Sequence, residues 1–302
     1  MPDTPTRPST NRRRLLLAAA SLPLLGACSA WPAAQRAHAS ADARFRELEA
    51  SLNGRLGVYA IDTDTGSGAV LGYRGAERFP VCSTFKVVQA GAILERSTRE
   101  PGLLGQRIRY AASDLVSYSP ITETHVSAGM TVAELCAAAI RYSDNTAANL
   151  LLKLVGGPAG LTAYARTQGD PSFRLDRWET ALNTAEPGDL RDTSTPQAMA
   201  GTLQRLCLAD QLPLQQRVQL QDWLRGNTTG GTRIRAGVPS SWQVGDKTGT
   251  GSYGTANDIA LLWPPQRAPL VVAIYTTSHR QDADARNDIL AAAARVCVEA
   301  LA

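Results

Sequence analysis

Helix-like and strand-like segments are segregated along this 302-residue chain, and that segregation limits its possible folds more than any other feature. Residues 41–52 carry an amphipathic helical pattern that stops at Asn53-Gly54. Arg55 to Ile61 and Gly68 to Tyr73 read as two strands around an Asp-Thr-Asp-Thr-Gly turn, a hairpin. Helical periodicity then dominates through Thr84–Arg96, Val132–Ile140, Thr146–Leu154, Pro158–Gln168, Thr195–Leu208 and Leu214–Leu224. Strands return at Thr255–Trp263 and Leu270–Thr276, broken by Pro264-Pro265, and a last helix runs from Ala283 to about Ala300. Strands at both ends with helices between them call for an α+β fold. One antiparallel sheet is built from the N- and C-terminal segments and flanked by helices, with an all-helical part inserted. The α/β part is placed at about 40–82 and 226–302 and the helical part at about 83–225, with the active site where the two meet. With 44% of residues hydrophobic and 19% charged, the chain has the apolar surface for such a core.

The first 39 residues read as an address. Arg12-Arg13-Arg14 precede an apolar run from Leu15 to Ala27, the length of a signal-peptide core and too short to span a bilayer. The paired arginines suggest the twin-arginine export route. Two processing sites fit: Ala37-His38-Ala39, which would release a chain beginning near Ser40, and Leu25-Gly26-Ala27-Cys28, which would leave a lipidated Cys28. The expected location is the periplasm. The formal charge of +4 arises in this leader, because residues 40–302 hold 26 basic and 26 acidic groups. A nucleic-acid partner is therefore not expected.

Lysine is scarce. Lys86, Lys153 and Lys247 stand against 28 arginines. A buried Lys can give up its proton, which Arg does not do. In Ser83-Thr84-Phe85-Lys86 a helix beginning at Ser83 would put Lys86 on the same face, where its amine could activate the hydroxyl as a nucleophile. Ser143-Asp144-Asn145 opens the Thr146 helix, and in Lys247-Thr248-Gly249-Thr250-Gly251 a cation and hydroxyls on a strand edge can hold a carboxylate. The three histidines and five cysteines show no metal-ligand spacing, so no metal is expected.

Together these three segments resemble the class A serine β-lactamases, whose set is S-x-x-K, S-D-N and K-T-G in this order. Arg177-Trp178-Glu179-Thr180-Ala181-Leu182-Asn183 is similar to the family's E-x-x-L-N loop, and the resemblance runs from about residue 42 to the C-terminus. It implies hydrolysis of penicillins and cephalosporins without a cofactor, by a monomer that mechanism-based serine β-lactamase inhibitors would also acylate. Ser83 would attack the lactam carbonyl, with an oxyanion hole from the N–H groups of Ser83 and Thr250. Lys86, or Glu179 through water, would activate it. Ser143 would pass a proton to the lactam nitrogen, aided by Lys247. Glu179 and Asn183 would position and activate the deacylating water, the step that separates a β-lactamase from a penicillin-binding peptidase or sensor. Asn145 would bond the substrate's side-chain amide, Tyr118 would wall the mouth, and Lys247, Thr248, Gly249 and Thr250 would bind its carboxylate. Arg177 and Asp192 would close the loop that carries Glu179, and family members often have a cis bond after that Glu.

The sequence also departs from the family pattern. Ala256 stands where many members carry an Arg, and Arg233 would supply the missing guanidinium from the neighbouring segment. Cys82 resembles half of the disulfide of one carbapenemase group, yet Gly251 occupies the other half; Cys136 likewise faces Ala90. Both are expected as free thiols.

Overall fold

The computed structural model describes residues 33–301 except Thr65 and Ser67, with the backbone alone for 33–36. The arginine tract, the apolar run and Cys28 lie outside the described residues. The described residues hold eight α-helices: α1 (Ala33–Ala50), α2 (Phe85–Ser97), α3 (Val132–Arg141), α4 (Asn145–Leu154), α5 (Gly157–Thr167), α6 (Pro196–Cys207), α7 (Leu214–Arg225) and α8 (Asn287–Leu301). The long strands are β1 (Gly54–Asp62), β2 (Val70–Tyr73), β7 (Gln243–Thr250), β8 (Ala256–Trp263) and β9 (Leu270–Ser278). They form one antiparallel sheet in the order β2-β1-β9-β8-β7.

Two-residue alternation in the strands feeds two cores. Leu56, Val58 and Ala60 of β1, with Leu270, Val272 and Ile274 of β9, pack against α1 and α8. Val271, Ala273 and Tyr275 of β9 point the other way, into the core shared with α2 to α7. Each fully buried Val, Leu or Ile contributes about 1.5–3 kcal/mol relative to exposure, so a slip of one residue in β9 would exchange the two sets and is strongly opposed.

The inserted part is not purely helical. β3 (Phe79–Pro80) pairs with β6 (Thr193–Ser194), and β4 (Arg107–Ile108) with β5 (Met130–Thr131). These ladders are too short to produce a readable alternation. Helices α6 and α7, read from sequence as members of the insert, also lie against the large sheet through β1, β9 and β7. The final helix starts at Asn287, four residues later than its pattern suggested, and α1 starts at Ala33, so that Ala37-His38-Ala39 lies within it.

Candidate active site

The segment before α2 is held at both ends. Cys82–Thr84 forms a 3-10 turn that runs into α2, so Ser83 lies just ahead of the α-helix and not inside it. The Asn257 amide of β8 donates to Pro80 O at 2.8 Å and Val81 O at 3.3 Å. The Thr84 hydroxyl meets Tyr275 Oη at 2.9 Å. Edge strand β7 lies directly over the turn: a Cβ on Gly249 would stand 2.9 Å from Val81 O and 3.2 Å from Ser83 N. Only glycine at 249 lets β7 pass this close to the nucleophile turn.

Four segments converge on Ser83. Its Oγ lies 3.3 Å from Glu179 Oε1, the same oxygen that approaches Lys86 Nζ at 3.2 Å. Lys86 Nζ donates to Ser143 O at 2.8 Å and Asn145 Oδ1 at 2.7 Å, and reaches Ser143 Oγ at 3.4 Å. Lys247 Nζ donates to Ser143 Oγ at 3.0 Å. Ser83, Glu179, Lys86, Ser143 and Lys247 thus form a continuous run of polar contacts. Both lysines are fully buried. Burial pulls Lys86 below the ordinary lysine range, opposed by Glu179. Burial, with the charge of Lys86, lowers Lys247 further, while Asp246 and Asp258 resist. Both amines are thereby brought nearer to losing a proton.

Glu179 is set by the loop that carries it. Arg177 Nε donates to Asp192 Oδ2 at 2.5 Å, closing the loop as the resemblance implied. Asn183 Nδ2 donates to Glu179 Oε2 at 2.5 Å, and the Glu179-Thr180 peptide bond is cis. From outside the loop, Asn149 of α4 bonds the backbone of Glu179 through both atoms of its amide.

The opposite wall hangs on Asp144. It caps α4 by accepting from Ala147 N, and it also accepts from Ile121 N, Thr122 N and the Thr122 hydroxyl. This fixes the 117–124 loop, whose Tyr118 is 59% exposed at the cleft mouth. Asn145 N donates to Tyr118 O at 3.0 Å. Cys82, Tyr118 and Ser143 all have positive φ (43°, 63° and 58°), a cost of about 1–3 kcal/mol each that the surrounding hydrogen bonds must offset.

Arg233 completes the floor. It donates to Gly249 O at 2.7 Å, Asn257 O at 2.8 Å, Thr250 Oγ1 at 2.7 Å and Asn287 Oδ1 at 2.9 Å. Its guanidinium therefore lies against the Lys247–Thr250 segment, although Arg233 is distant from it in sequence. The resulting cleft of 580 Å³ is lined by Ser83, Tyr118, Ser143, Asn145, Asn183, Arg233 and Thr248 to Thr250. Every site residue singled out in the sequence lies in this cleft or directly beneath it. Cys82, Cys136, Cys207 and Cys297 are buried free thiols, as the wide spacing of all four in the sequence leads us to expect. Among the described residues there is no group of side chains able to hold a metal.

Several supporting residues escaped the motifs. Thr228 and Thr229 line the cleft, and the Thr229 hydroxyl meets that of Thr248 at 2.5 Å. Asn257 and Asp258 sit in an apolar strand pattern that gave no reason to separate them from its core. Asn149 could have been found: it lies four residues after Asn145, a second amide on one face of a largely apolar helix.

Residues 40–301 match the model of a family described as "Beta-lactamase enzyme family". The chain is 54% identical over 294 residues to the carbapenem-hydrolyzing beta-lactamase KPC of Klebsiella oxytoca, covering 97% of this chain and 98% of that protein. It is similar to a beta-lactamase structure from Desulfarculus baarsii (58% identity, TM-score 0.85, 87% of this chain and 97% of the other). It is also similar to a variant of the reconstructed last common ancestor of the class A beta-lactamases of Gram-negative bacteria (56% identity, TM-score 0.83, 86% and 98%).

Proposed function

The chain belongs to the class A β-lactamases, and from that premise we propose that it opens penicillins and cephalosporins through an acyl-enzyme on Ser83 that Glu179 clears with water. The Ser83 hydroxyl attacks the lactam carbonyl, and its proton passes to Glu179 or Lys86, both within the polar run around it. The C–N bond breaks and the lactam nitrogen takes a proton from Ser143, which Lys247 replenishes or holds polarised. Water then adds to the ester under general-base help from Glu179, and Ser83 regains its proton. Arg233, Lys247, Thr248 and Thr250 hold the substrate carboxylate; Asn145 and Tyr118 flank its side chain. We further propose export to the periplasm by the N-terminal leader.

The observation that carries this reading is the placement of Glu179. One carboxylate oxygen faces Ser83 and Lys86, and the other is held by Asn183. A base reaching the acylated oxygen from outside the Ser-Lys pair is what rapid hydrolysis of the ester calls for. The test is turnover of a chromogenic cephalosporin by the purified protein and its Glu179→Ala variant. Many turnovers by the parent, with a burst of about one product per enzyme and a trapped adduct in the variant, support the proposal. A parent that stops after one product would make it a penicillin-binding protein. Sustained turnover by the variant would remove Glu179 from deacylation.

A further inference from the structure

A second cleft, of 420 Å³, shares no lining residue with the Ser83 cleft. It opens between β1, the segment leading into that loop, and α6. Tyr59 stands on one side, Ser172 on another, and Thr195, Gln197, Gly201 and Arg205 contribute from the start and face of α6. The positions Ala198, Gly201 and Arg205 recur at helical spacing, so the guanidinium lies along the cleft wall above a glycine. A Cβ on Gly201 would come within 3.1 Å of Arg205 Nη1.

Arg205 is under-used as a donor. Nη2 donates to Thr202 Oγ1 at 3.0 Å, and Nε is buried with no hydrogen-bond partner among the described residues. The nearby carboxylate, Asp170, is taken up elsewhere: Oδ1 accepts from Ser172 N and Phe173 N at 2.8 Å, and Oδ2 from the Thr202 hydroxyl at 3.2 Å. Burial depresses the affinity of Arg205 for its proton, and Asp170 only partly compensates. A guanidinium that is partly desolvated, short of acceptors and on the wall of a mixed polar and apolar cleft gains most from an oxyanion ligand.

We propose that this cleft is a binding site for a small oxyanion, a carboxylate or phosphate group, held by Arg205 with the Ser172 hydroxyl and the Gln197 amide. Such a ligand would tie the chain entering the Glu179 loop to α6, away from the reacting atoms.

The test is titration of the purified protein with inorganic phosphate and, separately, with acetate. Amide resonances of Ser172, Gln197 and Gly201 report the site. The expected result is a saturable shift at these amides for at least one anion, weakened by added chloride. Arg205→Gln should raise the apparent Kd by about tenfold or more, in keeping with loss of a charge-assisted pair. Gly201→Asp, which supplies an internal carboxylate beside Nη1, should do the same in a folded protein. Unchanged β-lactam turnover confirms the fold of each variant. Response to phosphate alone or to acetate alone identifies which oxyanion the cleft takes. The proposal fails if neither anion shifts these amides, or if both variants bind as the parent does.

Discussion

Asn149 holds Glu179 by both of its backbone polar groups, its side-chain oxygen accepting the N–H at 3.0 Å and its amide donating to the carbonyl at 2.9 Å. No atom of Asn149 reaches the nucleophile in this arrangement; it acts through the residue it positions. Asn149→Ala would leave both groups of Glu179 unpaired, at a stability cost of about 1–3 kcal/mol. A base displaced by a fraction of an ångström to an ångström should lower turnover on the order of 10²-fold. Mass spectrometry under steady-state conditions should then show the acyl adduct accumulating, because formation of the ester suffers less than its hydrolysis. An equal fall in both steps would show that Asn149 does not act through Glu179 alone.

Lys86→Arg keeps the positive charge and removes the ability to release a proton. If proton transfer is the role of Lys86, the acylation rate should fall by roughly 10²–10⁴-fold. Stopped-flow measurement of the burst checks this. A near-normal burst would leave Lys86 only an electrostatic role.

Arg233→Ala removes the donor shared by Gly249 O, Asn257 O, Asn287 Oδ1 and Thr250 Oγ1. A lost charge-assisted contact to a carboxylate is worth about 1.5–3 kcal/mol, so KM should rise about ten- to a hundredfold with a smaller change in kcat. Steady-state kinetics with a substrate ester lacking the carboxylate should show little difference between parent and variant. A loss of equal size with that ester would place the effect in the fold of β7.

Asp258 offers a pH test. Burial raises its carboxyl well above the usual range, and Asp246 raises it further, while Arg233 and the Ile234 N–H act the other way. The folded chain then holds a proton that the unfolded chain has released. This contribution to stability is fully present below the ordinary carboxylate range and is lost as pH rises toward the elevated value. Asp258→Asn cannot titrate and can still accept from Ile234 N. Between about pH 5 and pH 8, urea denaturation should show a shallower decline for the variant than for the parent. Lys86, lowered by burial, pushes stability upward with pH in both proteins; removing the Asp258 charge lets Lys247 fall further, which adds to the shallower decline of the variant. Parallel pH curves would refute the assignment.

Cys82 and Gly251 face each other across the turn, and a Cβ on Gly251 would stand 2.8 Å from Cys82 Sγ. Gly251→Cys should therefore oxidise to a disulfide once the backbone yields slightly to relieve the approach to Asn183 O. The described residues of the parent hold four free thiols. Thiol titration of the oxidised, denatured variant without residues 1–39 should find one fewer than the parent, and a count one higher would exclude the bond.

Much of this molecule was legible in its sequence for reasons that can be named. Unbroken apolar runs in β8 and β9 and helical spacing in the middle are local signals, and they located these strands and most of the helices. The chemistry-bearing residues were legible because they sit in short motifs: Ser83 with Lys86, Ser143 with Asn145, Lys247 with Thr250, Glu179 with Asn183. What stayed hidden depends on contacts far apart in sequence. Asn257 grips the turn at Pro80 from another strand, and α6 lies on the sheet although its sequence neighbours form the insert. The start of α8 at Asn287 was obscured because 283–286 is helical in composition yet precedes the ordered turn.

The sheet order has a consequence for how the molecule comes into being. β1, among the earliest strands, pairs over nine residues with β9, among the last, and β8 and β9 stand between β1 and the Lys247 strand. Hence a chain emerging from the ribosome can pair one edge of β1 with β2, but its other edge has no partner until residue 278 is free. The Ser83 turn, which Asn257 and Tyr275 brace, must wait equally long. Activity should therefore arrive all at once, after synthesis, and fragments ending before β9 should have none to lose.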